Sequence, residues 1–248
     1  MNLSGNTVLI TGGSTGIGLA LAERLLKSGN TVIICGRREE KLQEARHLHP
    51  ELHVRVCDVA MESERLAIFK WIQSEFPGLN VLVNNAGIQH RMNLMESGKD
   101  WNHYQQEIAI NLEAPIQLAM LFIPHFAKQK GAAIVNISSG LAFTPMAAAP
   151  IYSATKAAIH SFTTSLRYQL SATGIEVIEV APPAVNTDLG GIEFHAFGVP
   201  LDEFIDGVYQ GLKDGRQEIG YGTSEKALRL SRDEIEETVK QINNHISF

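Results

Sequence analysis

Short apolar runs alternate with longer amphipathic stretches over the first two-thirds of the chain. The runs are rich in β-branched residues and lack strict polar alternation, which is typical of strands buried on both faces of a sheet. Between them apolar residues recur at helical spacing, as in Gly18–Ser28, which Gly29 would end. The predicted strands are Thr7–Thr11, Thr31–Cys35, His53–Cys57, Val81–Asn84, Ala133–Ile137 and Glu176–Val180.

Strands that alternate with helices in this way predict the fold class. They form a parallel sheet, joined by right-handed crossovers and covered by helices on both sides. The predicted fold is therefore a doubly wound α/β (Rossmann) sheet of three layers. No linker rich in Pro, Gly or Ser and no repeat divides the 248 residues, so one domain over residues 1–248 is expected.

The regular alternation ends after the sixth strand. Residues 188–200 are predicted to form a long loop with a hinge at Gly190–Gly191, and they carry Phe194, His195 and Phe197. Such a loop is either a lid over a partly apolar substrate or an ordinary surface excursion, and His195 fits both interpretations. The elements predicted beyond it are a helix over 201–214, a strand over Glu218–Tyr221 and a charged terminal helix over 225–243.

Composition excludes several classes of protein. The formal charge of −6 disfavours a nucleic-acid-binding protein, which would show a basic face. The first residues do not resemble a secretion signal, and no apolar run approaches the roughly 20 residues of a membrane span. A cytoplasmic location away from membranes is therefore expected. Cys35 and Cys57 lie in apolar runs, which predicts core packing rather than a disulfide framework or a metal site.

A glycine-rich segment joins the first strand to the first helix. Thr11 begins it, and Gly12, Ser14, Thr15, Gly16, Ile17 and Gly18 follow. Glycines let the backbone approach a pyrophosphate, which the free N–H groups at the helix start then bind; a purely structural turn is the alternative. The spacing T-G-x-x-x-G-x-G resembles that of the short-chain dehydrogenase/reductase family. This resemblance implies NAD(P) dependence and a homodimer or homotetramer.

The end of the second strand bears on the choice of dinucleotide. Glycine, at Gly36, stands where the family's NAD-binding members place a carboxylate, and Arg37 and Arg38 follow it. Because an arginine fork matches phosphate geometry, NADP(H) is predicted over NAD(H). The alternative is a solvated helix start, although cations oppose the dipole there. Thr15 occupies another position that is often basic in the family.

Three further segments resemble family motifs that contact the cofactor. Asp58 and Val59 close the third strand, where the family's carboxylate receives the adenine amino group; Asp58 could equally cap the next helix. The second segment follows the fourth strand, and the third resembles the Pro-Gly-x-Val-x-Thr motif, with Pro183 in place of its glycine. The residues carried over from these two segments are Asn85, Ala86, Gly87, Val185 and Thr187.

Four residues are candidates for the chemistry. Tyr152 and Lys156 are four apart on one helical face, Ser139 stands thirteen residues before Tyr152, and Asn111 is an amide in an apolar helical pattern. An exposed Tyr–Lys pair and a satisfied core amide are the structural alternatives. The family resemblance implies that Ser139 binds the substrate oxygen, Lys156 also holds the nicotinamide ribose, and Asn111 holds a water that links Lys156 to solvent.

These residues predict a reaction. A carbonyl that accepts a hydride needs a proton on its oxygen, and Tyr152 would donate it, or accept it during alcohol oxidation. The ordinary tyrosine pKa is about 10, and the Lys156 ammonium is expected to lower it. The predicted function is an NADP-preferring oxidoreductase acting on a small carbonyl or alcohol. A non-catalytic dinucleotide sensor with a protein partner is the alternative; an epimerase or dehydratase is disfavoured by the glycine spacing.

The resemblance covers about residues 6–188. The segments VLITGGSTGIG and YSATKAAIHSFTTSLRYQL are also similar to oxidoreductases encoded beside the lipoteichoic acid D-alanylation genes of Gram-positive bacteria. Beyond residue 188 the family's usual last strand and Gly-Gly turn are missing, and the charged helix takes their place. The substrate is not predicted by these features.

Overall fold

Seven strands form one parallel sheet in the order β3-β2-β1-β4-β5-β6-β7 in the computed structural model, which describes residues 1–96, 100–191 and 197–244. The strands are β1 Thr7–Thr11, β2 Thr31–Gly36, β3 His53–Val56, β4 Val81–Asn84, β5 Ala133–Ile137, β6 Glu176–Ala181 and β7 Glu218–Gly220. The helices are α1 Gly16–Lys27, α2 Glu39–Leu48, α3 Glu62–Glu75, α4 Trp101–Ile108, α5 Ala114–Phe126, α6 Pro150–Gln169, α7 Leu201–Lys213, α8 Thr223–Ala227 and α9 Arg232–Asn243. The predicted doubly wound fold is confirmed.

The strand order reverses beside β1. This strand pairs with β2 on one side and with β4 on the other, so the chain winds outward in both directions from it. Loops that leave adjacent strands in opposite directions open a crevice at the carboxyl edge of the sheet. The glycine-rich loop after β1 and the segment after β4 therefore meet at this crevice.

Hydrophobic side chains pack on both faces of the sheet. Val8 and Ile10 on β1 contact one cluster, under α1 and α7, while Leu9 contacts the other, under α3 and α5. All three are fully buried, as expected for a strand covered on both sides. Cys35 and Cys57 are buried free thiols, as predicted, and a hydrogen bond with Cys57 together with burial raises the pKa of Cys35.

The terminal region differs from the prediction of one helix over 225–243. It forms two helices, α8 and α9, separated at Ser231. The Ser231 hydroxyl accepts from Glu234 N–H while the Glu234 carboxylate accepts from Ser231 N–H, at 2.7 Å. This reciprocal capping box satisfies N–H groups at a new helix start, which makes a break here favourable.

A continuous helical stretch spans Trp101–Phe126 and includes a π-helical turn at Ala109–Glu113 between α4 and α5. Among the described residues it is the one helix long and apolar enough to cross a bilayer, by length and composition alone. Its Phe122 and Phe126 are fully buried against the core. The stretch therefore packs on the sheet as a core helix does, and its π turn carries Asn111.

Candidate active site

A cleft of about 960 Å³ opens at the carboxyl edge of the sheet. Asn111 lies behind its wall; every other predicted site residue lines it. These residues are Gly12, Ser14, Thr15, Gly16, Ile17, Gly18, Arg37, Arg38, Asp58, Val59, Asn85, Ala86, Gly87, Ser139, Tyr152, Lys156, Val185 and Thr187.

The glycine-rich loop leaves the start of α1 open to an anion. Gly12 and Gly16 have φ of 63° and 55°, values that favour glycine. Thr15 is the N-cap but makes no side-chain hydrogen bond to the helix, and the first turn of α1 holds no acidic residue. The N–H groups and the positive end of the helix dipole are therefore available to a phosphate.

The segment after β4 is held against this loop. Asn85 Nδ2 donates to the carbonyls of Thr11 and Gly12, at 2.9 and 3.1 Å, and Thr11 Oγ1 accepts from the N–H groups of Asn85 and Ala86. A Cβ on Gly12 would lie 2.8 Å from Ala86 Cα, closer than real Cβ contacts come. The two backbones thus form a narrow cradle that small residues alone permit, and a dinucleotide fits it.

Two arginines stand at the mouth of the cradle. The Arg38 guanidinium donates to Thr15 Oγ1 at 3.2 Å, and Arg37 and Arg38 are both exposed at the end of β2. Their neighbour Gly36 adds no carboxylate. Cations therefore stand on the side of the cleft where the second strand meets an adenosine ribose in this architecture.

Asp58 does not cap the next helix. Its Oδ1 accepts from Ala60 N–H at 3.0 Å, and the N-cap of α3 is Met61. The helix-capping alternative is wrong because the turn at Ala60 places three residues between the carboxylate and the first helical residue. Asp58 instead lines the cleft.

Three candidate catalytic side chains converge at the inner end of the cleft. Ser139 follows β5, while Tyr152 and Lys156 occupy successive turns of α6, and all three are buried. The Ser139 side chain lies close enough to the Tyr152 hydroxyl to act to lower its pKa, and Lys156 Nζ donates to the carbonyl of Ile137 at 2.8 Å. The exposed Tyr–Lys pair considered as an alternative is therefore wrong.

Asn111 acts on the backbone beside these groups. Its Oδ1 accepts from Ile88 N–H, and its Nδ2 donates to the Ile88 carbonyl and to Thr155 Oγ1. The π turn widens the helix at this point. Asn111 is a satisfied amide and also borders the site, because a Cβ on Gly87 would lie 3.4 Å from its Oδ1 and 3.6 Å from Lys156 Nζ.

Burial determines the titration of the central pair. It raises the pKa of Tyr152 to about 12 and lowers that of Lys156 to about 8. The expectation that Lys156 lowers the Tyr152 pKa is therefore wrong in this structure. Burial is the largest influence on both pKa values, because it disfavours both charged forms, the phenolate and the ammonium.

Sequence reasoning missed a buried carboxyl next to the site. Glu107 on α4 is fully buried, contacts His90 and raises the pKa of both Tyr152 and Lys156. The sequence did contain a sign that Glu107 belongs to the site: it stands four residues before Asn111, and residues i and i+4 share a helical face. A charged residue on the face that carries a functional amide faces the interior and not solvent.

The segment after β6 borders the outer half of the cleft. Val185 forms a bridge to Val199, and Thr187 approaches Gly16, within 3.5 Å of a Cβ placed there. Of the aromatic residues predicted to face substrate, Phe197 lines the cleft, while Phe194 and His195 lie outside the described residues.

The last two helices close the remaining side of the cleft, which sequence reasoning did not predict. Leu230, Thr238 and Ile242 line it together with Thr223 and Lys226. The helical pattern of 225–243 does not predict that this region lies at the cleft. Asn243 contacts Pro145 and Ala147, and a contact so distant along the chain depends on the tertiary fold.

Comparison with known proteins identifies the family. The short chain dehydrogenase family model matches residues 6–195. An uncharacterised oxidoreductase, DltE of Bacillus subtilis strain 168, is 46% identical over 250 residues, which cover 98% of each chain. A short chain dehydrogenase of Burkholderia cenocepacia in complex with NADP has a TM-score of 0.81 at 25% identity, covering 98% of this chain and 99% of that one.

A second solved structure shows the same fold with the other dinucleotide. It is a short chain dehydrogenase/reductase of Burkholderia phymatum in complex with NAD, with a TM-score of 0.84 at 19% identity over 100% of this chain and 99% of that one. The family match covers most of the chain, and the Bacillus relative aligns along nearly all of it. This chain therefore belongs to the short-chain dehydrogenase/reductase family of oxidoreductases.

Proposed function

We propose that this protein is an NADP-preferring oxidoreductase that interconverts a partly apolar carbonyl compound and its alcohol. The observation that supports it best is the burial of Ser139, Tyr152 and Lys156 together at the inner end of the cleft. A phenol, a hydroxyl and an ammonium in this arrangement serve a substrate oxygen that gains or loses a proton.

Each site residue has its own role in this reaction. NADPH, when bound, supplies the hydride. Tyr152 donates the proton to the substrate oxygen, because its raised pKa keeps the phenol protonated at neutral pH. Ser139 hydrogen-bonds the same oxygen, and Lys156 donates hydrogen bonds at the inner wall. The open helix start at Gly16 and the arginines after β2 would hold the phosphates.

The walls of the outer cleft indicate the substrate class. They carry apolar side chains from four separate segments, so a hydrophobic group larger than a few carbons would be covered on several sides. These side chains are Leu141, Met146, Leu189, Phe197, Leu230 and Ile242. Aliphatic or aromatic aldehydes and ketones are the compounds that fit.

A reductase panel tests this proposal. We expect NADPH oxidation with alkyl or aryl carbonyls, and Tyr152→Phe should lose at least about two orders of magnitude in kcat while it still binds NADPH. Tyr168→Phe is the matched control, since Tyr168 lies on the same helix and is exposed. Near-normal turnover by Tyr152→Phe would contradict the mechanism. NADPH binding without turnover of any carbonyl would instead favour a dinucleotide sensor.

A further inference from the structure

Glu107 is a buried carboxyl group that the proposed reaction does not use. Its Oε1 accepts from His90 N–H at 3.3 Å, and its Oε2 lies 3.4 Å from His90 Nδ1. From the described part of the chain, Oε2 accepts no hydrogen bond. A buried carboxylate with incomplete hydrogen bonding costs free energy of folding, and such groups are concentrated at functional sites.

The position of Glu107 connects it to the inner end of the cleft. It stands one helical turn before Asn111, and the two side chains hold the segment 88–90, Asn111 at Ile88 and Glu107 at His90. Gly87 precedes this segment, and a Cβ placed on it would lie 3.4 Å from Asn111 Oδ1 and 3.6 Å from Lys156 Nζ. The carboxyl therefore lies near Lys156, and each charge influences the pKa of the other.

The charge of Glu107 acts on both groups of the pair. It raises the pKa of Lys156 and that of Tyr152, while the Lys156 charge in turn lowers the pKa of Glu107. Burial is the larger influence on Glu107 and raises its pKa to about 7. Above that pH the carboxylate stabilises the ammonium and destabilises the phenolate, so both protons stay in place.

We propose that Glu107 is a positioning residue whose carboxylate keeps the protons on Tyr152 and Lys156 and thereby poises the site for carbonyl reduction rather than alcohol oxidation. The inference rests on the proposed function. In that direction the reduced nicotinamide is oxidised as its hydride forms the new C–H bond. The Tyr152 O–H bond breaks as its proton moves to the substrate oxygen, and the phenolate then regains a proton from solvent.

The effect depends on pH because the Glu107 carboxyl itself has a pKa of about 7. The ring of His90, which contacts this carboxyl, lines the cleft and stacks on His103, with the ring centroids 4.0 Å apart. Within the part of the chain that the structure describes, Glu107 contacts His90 from the segment after β4, and His103 of α4 packs on that histidine. Tyr152 and Lys156 of α6 are the titratable groups whose pKa values its charge shifts. The bias toward reduction should weaken as the pH falls below 7.

Glu107→Gln tests the proposal because it retains an oxygen for His90 N–H and removes the charge. We expect the alkaline limit of kcat for NADPH-dependent reduction, and the acidic limit of alcohol oxidation, each to fall by about one pH unit. Glu179→Gln is the matched control: Glu179 is equally buried and paired with a histidine, His160, but its charge is not among those that shift the pKa of Tyr152 or Lys156. The pH limits of reduction and oxidation in Glu179→Gln should match those of the wild type.

A second measurement needs no turnover. Infrared difference spectra of the cofactor-free protein, wild type against Glu107→Gln, should show the carbonyl band of a neutral carboxylic acid that disappears with a midpoint near pH 7. Coincident pH profiles of Glu107→Gln and the wild type would overturn the proposal, as would a carboxyl that is fully ionised at about pH 5. If no carbonyl is reduced at all, the proposed function fails while the infrared titration still decides the state of Glu107.

Discussion

Burial shifts the pKa values of Tyr152 and Lys156 in opposite directions for the same physical reason. It removes water from a phenol and from an ammonium, so it keeps the first protonated and makes the second easier to deprotonate. At neutral pH both groups still carry their protons, since the two pKa values, about 12 and about 8, lie above 7. This state is the one that a proton donor for carbonyl reduction requires.

Arg37 gives a residue-scale prediction about the choice of cofactor. Arg37→Asp replaces a cation at the ribose end of the cleft by a carboxylate, which repels an added phosphate. We expect the KM for NADPH to rise by about 10- to 100-fold, the equivalent of about 1.5–3 kcal/mol for a lost charge-assisted hydrogen bond, while that for NADH falls or stays.

The control for this prediction is Arg46→Asp. Arg46 is an exposed arginine of α2 that does not line the cleft. Steady-state kinetics with both dinucleotides measure the effect. Equal use of NAD(H) and NADP(H) by the wild type, unchanged in Arg37→Asp, would contradict the proposed preference.

At the scale of elements, helix α9 is the least expected part of the site. None of its residues is buried, yet two of them line the cleft. Its end is attached by Asn243, whose Oδ1 accepts from Ala147 N–H at 2.6 Å and whose Nδ2 donates to the Pro145 carbonyl at 3.1 Å. One side chain thus connects this helix to the loop that leads into α6.

Asn243→Ala should therefore loosen the cover of the outer cleft. Loss of two hydrogen bonds worth about 1 kcal/mol each predicts a KM for bulky carbonyls raised by up to about 30-fold. The kcat for the smallest accepted carbonyl should stay near the wild-type value, because Tyr152 is untouched. Lys240→Ala is the control on the same helix, since it removes an exposed ion pair with Glu236. Equal KM values for both variants would exclude a role of α9 in substrate binding.

At the scale of the whole molecule, a partly buried ion pair makes stability depend on pH. His160 on α6 contacts Glu179 on β6 at 2.9 Å, and this hydrogen bond raises the pKa of His160 above its ordinary 6.5. A histidine with a raised folded-state pKa stabilises the fold fully below the unfolded-state pKa. The contribution is lost as the pH rises through the folded-state pKa.

We therefore expect the wild type to lose stability relative to His160→Gln/Glu179→Gln as the pH rises from below 6.5 through the raised pKa of His160. The double variant is the comparison because removal of His160 alone would leave a buried carboxylate unpaired. Thermal unfolding measures the difference, with about 2–4 °C in Tm for each kcal/mol. A constant difference in Tm across this range would show that His160 does not titrate in this way.

Assembly also belongs to this scale, and the homodimer or homotetramer stays a prediction. Large apolar side chains stand exposed on neighbouring helices, namely Trp101 on α4, Met120 on α5 and Tyr168 on α6, with 60%, 66% and 78% of their surfaces accessible. A dimer that covered these three side chains would remove apolar surface from water.

The sequence by itself determined the sheet, the phosphate loop and the pair at the centre. Apolar runs and helical periodicity are local signals, and Tyr152 and Lys156 needed only a spacing of four residues to share a helix face. The strands were predicted to within a residue at each end for the same reason. The glycine spacing, with Ser139 thirteen residues before Tyr152, was enough to indicate the family.

The tertiary structure alone decided what surrounds that pair. Which way the Tyr152 pKa moves depends on how much water the fold removes, and no local pattern contains that quantity. The contact of Glu107 with His90 and the attachment of α9 by Asn243 join segments that are distant along the chain. Such contacts depend on the packing of the whole sheet and its helices, so the protonation state of the site and the shape of its outer cleft follow from the fold and not from the motifs.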